Sequence, residues 1–248
     1  MTDYLIEIKS LSKEFRLENG QILKVLDNIS FHIPKATITG IIGKSGCGKT
    51  TLLEIIAGIQ HASFGNVHIP TEIKPFVIFQ QYNKALFPYL NLKKNIEIAL
   101  LNDKEKSKKA IEALEIVGLR DFSDYYPWQI SGGMQQRVSI ARALAIKTPL
   151  LLLDEPFSAL DTFTKYKLED DLLQIVQNFG MTCLYVTHDI DSAIYVSNRI
   201  IVLSAKPASI IDDFDICVWG KRAQIETKKN VEFLKYRERI YNELLNDE

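Results

Sequence analysis

Residues Gly43-Lys44-Ser45-Gly46-Cys47-Gly48-Lys49-Thr50 follow the spacing GxxxxGK[ST]. Glycines let successive backbone N–H groups turn toward phosphate oxygens, and the start of a following helix adds a positive dipole. Lys49 supplies a full charge for the β and γ phosphates, Thr50 a hydroxyl able to hold Mg²⁺, and Thr51 extends the cradle. A purely structural turn would need neither the lysine nor the hydroxyl. Farther along, Leu150-Leu151-Leu152-Leu153 runs into Asp154-Glu155. Ligands of parallel sheets collect where strands end, so one carboxylate can serve a metal and the other a water. Asp154 is expected on the metal side, and Glu155 as the general base that polarises the attacking water. The alternative is that the pair caps the next helix or faces solvent.

Stepping outward from the glycines, Thr37 to Ile42 is a nearly continuous apolar strand entering the loop, and a helix follows from about Lys49 to Ala57. Alternation at Tyr4 to Ser10, Ile22 to Val25 and Ile29 to Ile33, with a turn at Asn19-Gly20, predicts an antiparallel β layer before it. Phe76 to Phe79 reads as a strand. Leu92 to Leu101, Ser107 to Val117 and Gly132 to Ile146 show helical spacing, so a helical insert is expected over about 82–147. Strand and helix then alternate: Leu150 to Leu153, Thr162 to Asn178, Thr182 to Val186, Ile190 to Val196, Ile200 to Leu203, and a terminal helix over about 232–245.

With 248 residues, 46% hydrophobic and 25% charged, the chain has the composition of a folded globular domain. A net charge of -1 removes the electrostatic warrant for a nucleic-acid partner. The three cysteines Cys47, Cys183 and Cys217 form no CxxC pair, as expected of a reducing compartment without disulfides or zinc. The amino terminus lacks a basic stretch followed by an apolar one, and no apolar run approaches the ~18 residues of a membrane span. The expected place is the cytoplasm. Cys47, beside Lys49 and a helix start, is expected to have a lowered thiol pKa and to react faster than Cys183; a buried, inert thiol is the alternative.

Ser131-Gly132-Gly133-Met134-Gln135 lies upstream of the carboxylate pair, and with it the chain resembles, over essentially its whole length, the ATPase subunit of an ABC transporter. Further family elements follow in order: Gln80 after the Phe76 strand, Ser158-Ala159-Leu160-Asp161, and Thr187-His188-Asp189. Read alone, Ser131-Gly132-Gly133 is a second anion nest opening a helix. The resemblance implies that it completes the P-loop site of a second, antiparallel copy, so that hydrolysis needs a head-to-tail dimer enclosing two ATPs. It also places Asp161 among the nucleotide-binding residues. It implies that His188 contacts the γ phosphate and holds Glu155 and the water in line, that Gln80 reaches Mg²⁺ and the water, and that Phe15 stacks on adenine. Gln81 adjoins Gln80 and leaves a one-residue alternative. Phe15 could instead be a core or hairpin aromatic.

Met134 replaces the more widespread glutamine and resembles the branch that imports nitrate, sulfonates, taurine or thiamine-precursor pyrimidines. The Tyr82 to Leu90 segment is apolar for a loop; the resemblance makes it a groove for a permease helix, and the alternative packs Leu86, Phe87 and Leu90 into the insert. Lys104 to Lys109 reads as a solvated helix face. The implied fold is a P-loop α/β core with an antiparallel β subdomain and an inserted α-helical subdomain, in a single domain over 1–248. The implied partners are a second copy, two permease subunits and an extracytoplasmic binding protein, with the chain peripheral on the inner face of the membrane. An exporter or lipoprotein-release ATPase is the first rival. DNA- or ribosome-acting members are the second, disfavoured because too few residues separate Lys49 from Ser131 for long coiled coils and because only one cassette is present.

Overall fold

The computed structural model describes residues 4–80, 85–217 and 222–247. Strands β1 (Tyr4–Arg16) and β2 (Ile22–Pro34) form one antiparallel ribbon, longer than the separate short strands their alternation predicts. Bulges explain the difference. Ser10 and Asn28 each take a φ of 49°, and Ser30 Oγ and Ser12 Oγ accept from their backbone N–H groups at 2.8 and 2.9 Å. Polar residues that break the sequence pattern therefore sit in kinks without ending the strands. With β4 (Phe64–His68) they make a sheet of order β2-β1-β4.

The main sheet contains β3 (Ile38–Ile42), β5 (Phe76–Ile78), β6 (Leu150–Asp154), β7 (Thr182–Thr187), β8 (Arg199–Leu203) and β9 (Ile210–Asp215), in the order β5-β6-β7-β3-β8-β9. The first five are parallel and β9 runs antiparallel at the edge. Every residue of β3, β6 and β7 is buried, the physical reason their sequences are unbroken rather than alternating. Successive side chains still face opposite ways: Leu151 and Leu153 enter one core, Leu150 and Leu152 the other.

Helix α1 (Lys49–Ile56) follows β3. Between β5 and β6 the chain inserts α2 (Leu92–Glu97), α3 (Lys106–Ile116) and α4 (Gly132–Ala145). Helix α5 (Thr162–Phe179) joins β6 to β7, and α6 (Ile190–Val196) joins β7 to β8. Two further helices, α7 (Gln224–Lys229) and α8 (Val231–Asn246), close the described chain. Caps fix the helix starts: Ser131 Oγ accepts from Met134 N at 3.3 Å, Asp161 from Phe163 N and Thr164 N at 3.1 Å, and Asp189 from Ser192 N at 2.9 Å. Strand β9 and helix α7 carry no signal that the sequence reading used, and Phe79 falls outside β5. Among the described residues no helix is long and apolar enough to cross a membrane.

Candidate functional site

The carboxyl ends of the five parallel strands open on one cleft of about 670 Å³. From β3 come Ser45, Gly46, Gly48, Lys49, Thr50 and Thr51; from β5 Gln80, from β6 Glu155, from β7 His188 and from β8 Lys206. The β1–β2 ribbon adds Phe15, Leu23 and Val25 to the lining. This is where a parallel sheet gathers its ligands, because each crossover leaves its loop at that edge.

The loop after β3 could not be built without glycine at position 48. Gly48 has a φ of 125°, and a Cβ there would lie 2.9 Å from both Val25 and Leu26. The turn brings Lys49 into the cleft wall, 6% exposed, where its ammonium donates to the carbonyls of Gly43 at 2.8 Å and Lys44 at 3.0 Å. A buried cation held by its own loop is preorganised for an anion. Beside it, Thr50 Oγ1 donates to Asp154 Oδ2 at 2.9 Å. Burial pushes the Asp154 carboxyl above its usual range, and the Thr50 hydroxyl opposes that shift. This hydroxyl and carboxylate form a pair of hard oxygen donors, fitting Mg²⁺, which takes few protein ligands and fills its octahedron with phosphate and water.

Glu155 turns the chain sharply. Its φ of 45° is left-handed, uncommon for a residue with a side chain, and its N–H donates to Val186 O at 2.8 Å. The turn takes the carboxylate out of line with buried Asp154 and into the cleft. There Oε1 meets His188 Nδ1 at 2.7 Å and Oε2 accepts from Gln80 Nε2 at 3.3 Å. The residue after His188 is fixed as well. Lys165 of α5 pairs with Asp189; burial would raise that carboxyl, but Lys165 and the Ser192 N–H bring it below the usual range.

Of the sequence-predicted residues, Phe15, Ser45, Gly46, Gly48, Lys49, Thr50, Thr51, Gln80, Glu155 and His188 line the cleft. Asp154 stands behind Thr50, and Gly43 and Lys44 lend their carbonyls to Lys49. Ser131, Gly132, Gly133 and Asp161 are not in this wall. They lie together elsewhere, since a Cβ at Gly133 would meet Thr164 Cγ2 at 2.5 Å, two helix starts in contact. The Asp161 carboxylate is occupied by capping α5, and hydrogen bonds from Thr164 hold its pKa down.

Cys47 is a correction. Its thiol is 2% exposed and turned toward Gly43, and burial pushes its pKa up. Lys49 and backbone N–H groups act in the downward direction expected, but desolvation outweighs them. Gln81, the alternative to Gln80, and Tyr82-Asn83-Lys84 of the expected docking segment lie outside the described residues. Leu86 is core, Phe87 is half-buried, and Tyr89 is 71% exposed. Buried Asn95 staples this turn, accepting from Phe87 N at 2.8 Å and donating to the carbonyls of Phe87, Leu90 and Asn91. Sequence reading missed Asn95 and the cleft residues Leu23, Val25 and Lys206. Only Lys206 had a usable signal, since it follows the apolar run of β8 as Glu155 follows that of β6.

Residues 26–158 match the family described as ABC transporter. An uncharacterized ABC transporter ATP-binding protein of Methanocaldococcus jannaschii is 40% identical, covering 98% of this chain and 92% of its own. The aliphatic sulfonates import ATP-binding protein SsuB of Bacillus cereus is 47% identical over 83% of each chain. The nitrate import ATP-binding protein NrtD of Synechocystis is 35% identical over 95% of this chain and 93% of its own. Among solved structures, a dimeric ATP-binding cassette in a post-hydrolysis state with ADP and phosphate superposes with a TM-score of 0.74, at 31% identity, over 86% of this chain and 100% of that one.

Proposed function

The chain belongs to the ABC transporter family as an ATP-hydrolysing subunit of the importer type, and from that premise we propose how its residues share the work. The observation that carries the reading is the cluster at the strand ends, where Glu155 is held between His188 and Gln80 on one side of the Lys49 cradle. ATP binds with adenine against Phe15 and its phosphates in the loop 43–51, with Lys49 on the β and γ oxygens. Thr50 and Asp154 would hold Mg²⁺, whose charge would offset that on those oxygens. Glu155 accepts the proton of the attacking water. His188 fixes the rotamer of that carboxylate, and Gln80 aligns it from the other side.

Ser131-Gly132-Gly133 lies away from the cleft, with an exposed serine at a helix start. We assign it to the phosphates in the cleft of a second copy, in a head-to-tail dimer, with Asp161 at the same face. Closing and reopening of that dimer drives a membrane permease between its access states. An extracytoplasmic binding protein delivers the solute, and the chain sits peripherally on the inner face of the membrane. Sulfonates and nitrate, the solutes named for the relatives, are the first class to test.

The test is transport by vesicles reconstituted with this chain, its genomically neighbouring permease and the binding protein. ATP supplied on the side of this subunit is expected to move solute toward it, with ATPase stimulated by loaded binding protein. Movement in the opposite sense would replace the importer reading with the exporter one.

A further inference from the structure

The cleft receives one residue from β8 that the reaction above does not use. Lys206 is exposed at the cleft wall, on the turn that leaves the carboxyl end of β8. That turn is anchored on two sides. Ala208 N donates to Val25 O at 2.9 Å, and Asp27 N to Ala208 O at 2.8 Å, fixing it to β2 beside the cleft residue Val25. At its other end Ser209 N donates to Ser204 Oγ at 2.9 Å, and Ala205 N donates to the Asp247 carboxylate after α8. The Asp247 carbonyl also accepts from Lys44 Nζ at 3.0 Å, so one residue ties this turn to the P-loop. Bracing the turn fixes the backbone of Lys206 at the cleft wall, so its flexible side chain reaches into the cleft from a set position.

The strand order tells which part of the ligand it meets. Glu155 and His188 arrive from β6 and β7 on one side of β3, whereas β8 flanks β3 on the other. Lys206 thus reaches the cleft across β3 from Glu155 and His188, on a turn bonded to the cleft residue Val25.

Resting on the Mg-ATP reading of this cleft, we propose that Lys206 is a nucleotide-binding residue whose ammonium contacts the phosphate oxygens nearest the ribose, those common to ATP and ADP. Its contribution is to affinity for either nucleotide and not to the chemical step. A solvent-screened ammonium–phosphate contact of this kind is worth about fivefold in dissociation constant.

The experiment measures Kd by titration calorimetry for Mg-ADP and for a non-hydrolysable Mg-ATP analogue. The variants are Lys206→Gln, Lys206→Arg and Lys49→Ala in the full chain, with nucleotide-free thermal unfolding as the folding control. Lys206→Gln is expected to weaken both nucleotides by the same factor of about five, Lys206→Arg to stay within twofold, and the Gln deficit to shrink as salt rises. Unchanged affinity in Lys206→Gln with a large loss in Lys49→Ala would overturn the assignment of Lys206 alone. Unchanged affinity in both variants would overturn the cleft reading beneath it. A loss confined to the triphosphate analogue would move the ammonium to the terminal phosphate and so reject the placement argued here.

Discussion

Two regions of the molecule hold their side chains in opposite ways. At the strand ends the polar groups face inward and satisfy one another: Lys49 with its loop carbonyls, Thr50 with Asp154, Glu155 with His188 and Gln80. Around the start of α2 the large apolar groups face outward. Tyr89 is 71% and Trp128 73% exposed, Tyr126 stacks on Trp128 with ring centroids 6.2 Å apart, and Leu92 N donates to Tyr125 O, which brings the two aromatic stretches to one surface. Burying polar groups is tolerable only when they are paired, and the polar side chains of the first region find those partners within the chain before any ligand binds. Exposed aromatics in a group leave apolar area unburied, so the second region is incomplete until another surface covers it. Under the proposed function, the chemistry lies at the strand ends and permease docking at the aromatic surface.

The sharpest way to break this contrast is at Glu155. Glu155→Gln removes the base but keeps an acceptor for His188, so turnover should fall by roughly 10²- to 10⁴-fold while ATP affinity is kept. Phosphate-release kinetics beside a binding titration measure both, and near-normal turnover would remove Glu155 from its role. An ATP-bound dimer should accumulate, visible by size-exclusion chromatography. Lys49→Ala acts on the cradle itself, and its effect belongs in affinity. Loss of a charged hydrogen-bonding partner worth about 1.5 to 3 kcal/mol predicts roughly ten- to a hundredfold weaker ATP binding. Equal affinity by calorimetry would count against the P-loop reading.

At the aromatic region, Tyr89→Asp should leave folding, ATP binding and basal hydrolysis intact and weaken permease co-purification by roughly ten- to a hundredfold. This follows from the roughly 1.5 to 3 kcal/mol that burial of a large apolar side chain contributes to a docked surface. Uptake should fall in parallel; undiminished uptake would place docking elsewhere. Phe87→Asp is the less clean variant, because Phe87 is half-buried and its backbone is held by Asn95. A lowered melting temperature there reports packing rather than docking.

The smallest effect sharpens the comparison from the stability side. Burial raises the Asp154 pKa, so the folded protein holds a proton there more tightly than the unfolded chain does, and stability declines as pH rises through the folded pKa. Asp154→Asn removes that unfavourable charge. At neutral pH the nucleotide-free variant should melt about 2 to 4 °C higher, if roughly 1 kcal/mol is recovered. The difference should shrink as pH falls, because Asp154 takes up its proton in the folded protein before it does in the unfolded chain. Mg²⁺-dependent hydrolysis should be lost at every pH. A variant that melts lower at neutral pH would mean that the charge is compensated within the protein.

What the sequence determined by itself was whatever depends on near neighbours in the chain. The glycine spacing of the loop at 43–50, the unbroken apolar runs of β3, β6 and β7, and the helical periods of α3, α4 and α5 are local patterns. Their physical causes, turn conformation, two-sided burial and one-sided packing, act within a few residues. Tertiary structure decided everything that depends on what stands across from a residue. It set Thr50 against Asp154, 104 positions away, and His188 against Glu155, 33 away. It buried Cys47, whose local neighbours argue for a reactive thiol, because the thiol joins a core cluster that includes Leu26 and Leu203 from distant strands. It separated Leu86 from Tyr89, three positions apart in a uniformly apolar stretch, sending one to the core and the other to solvent. It also brought Lys206 to the cleft through hydrogen bonds with β2 and Asp247. Desolvation and long-range pairing are sums over the whole fold, and no window along the chain contains them.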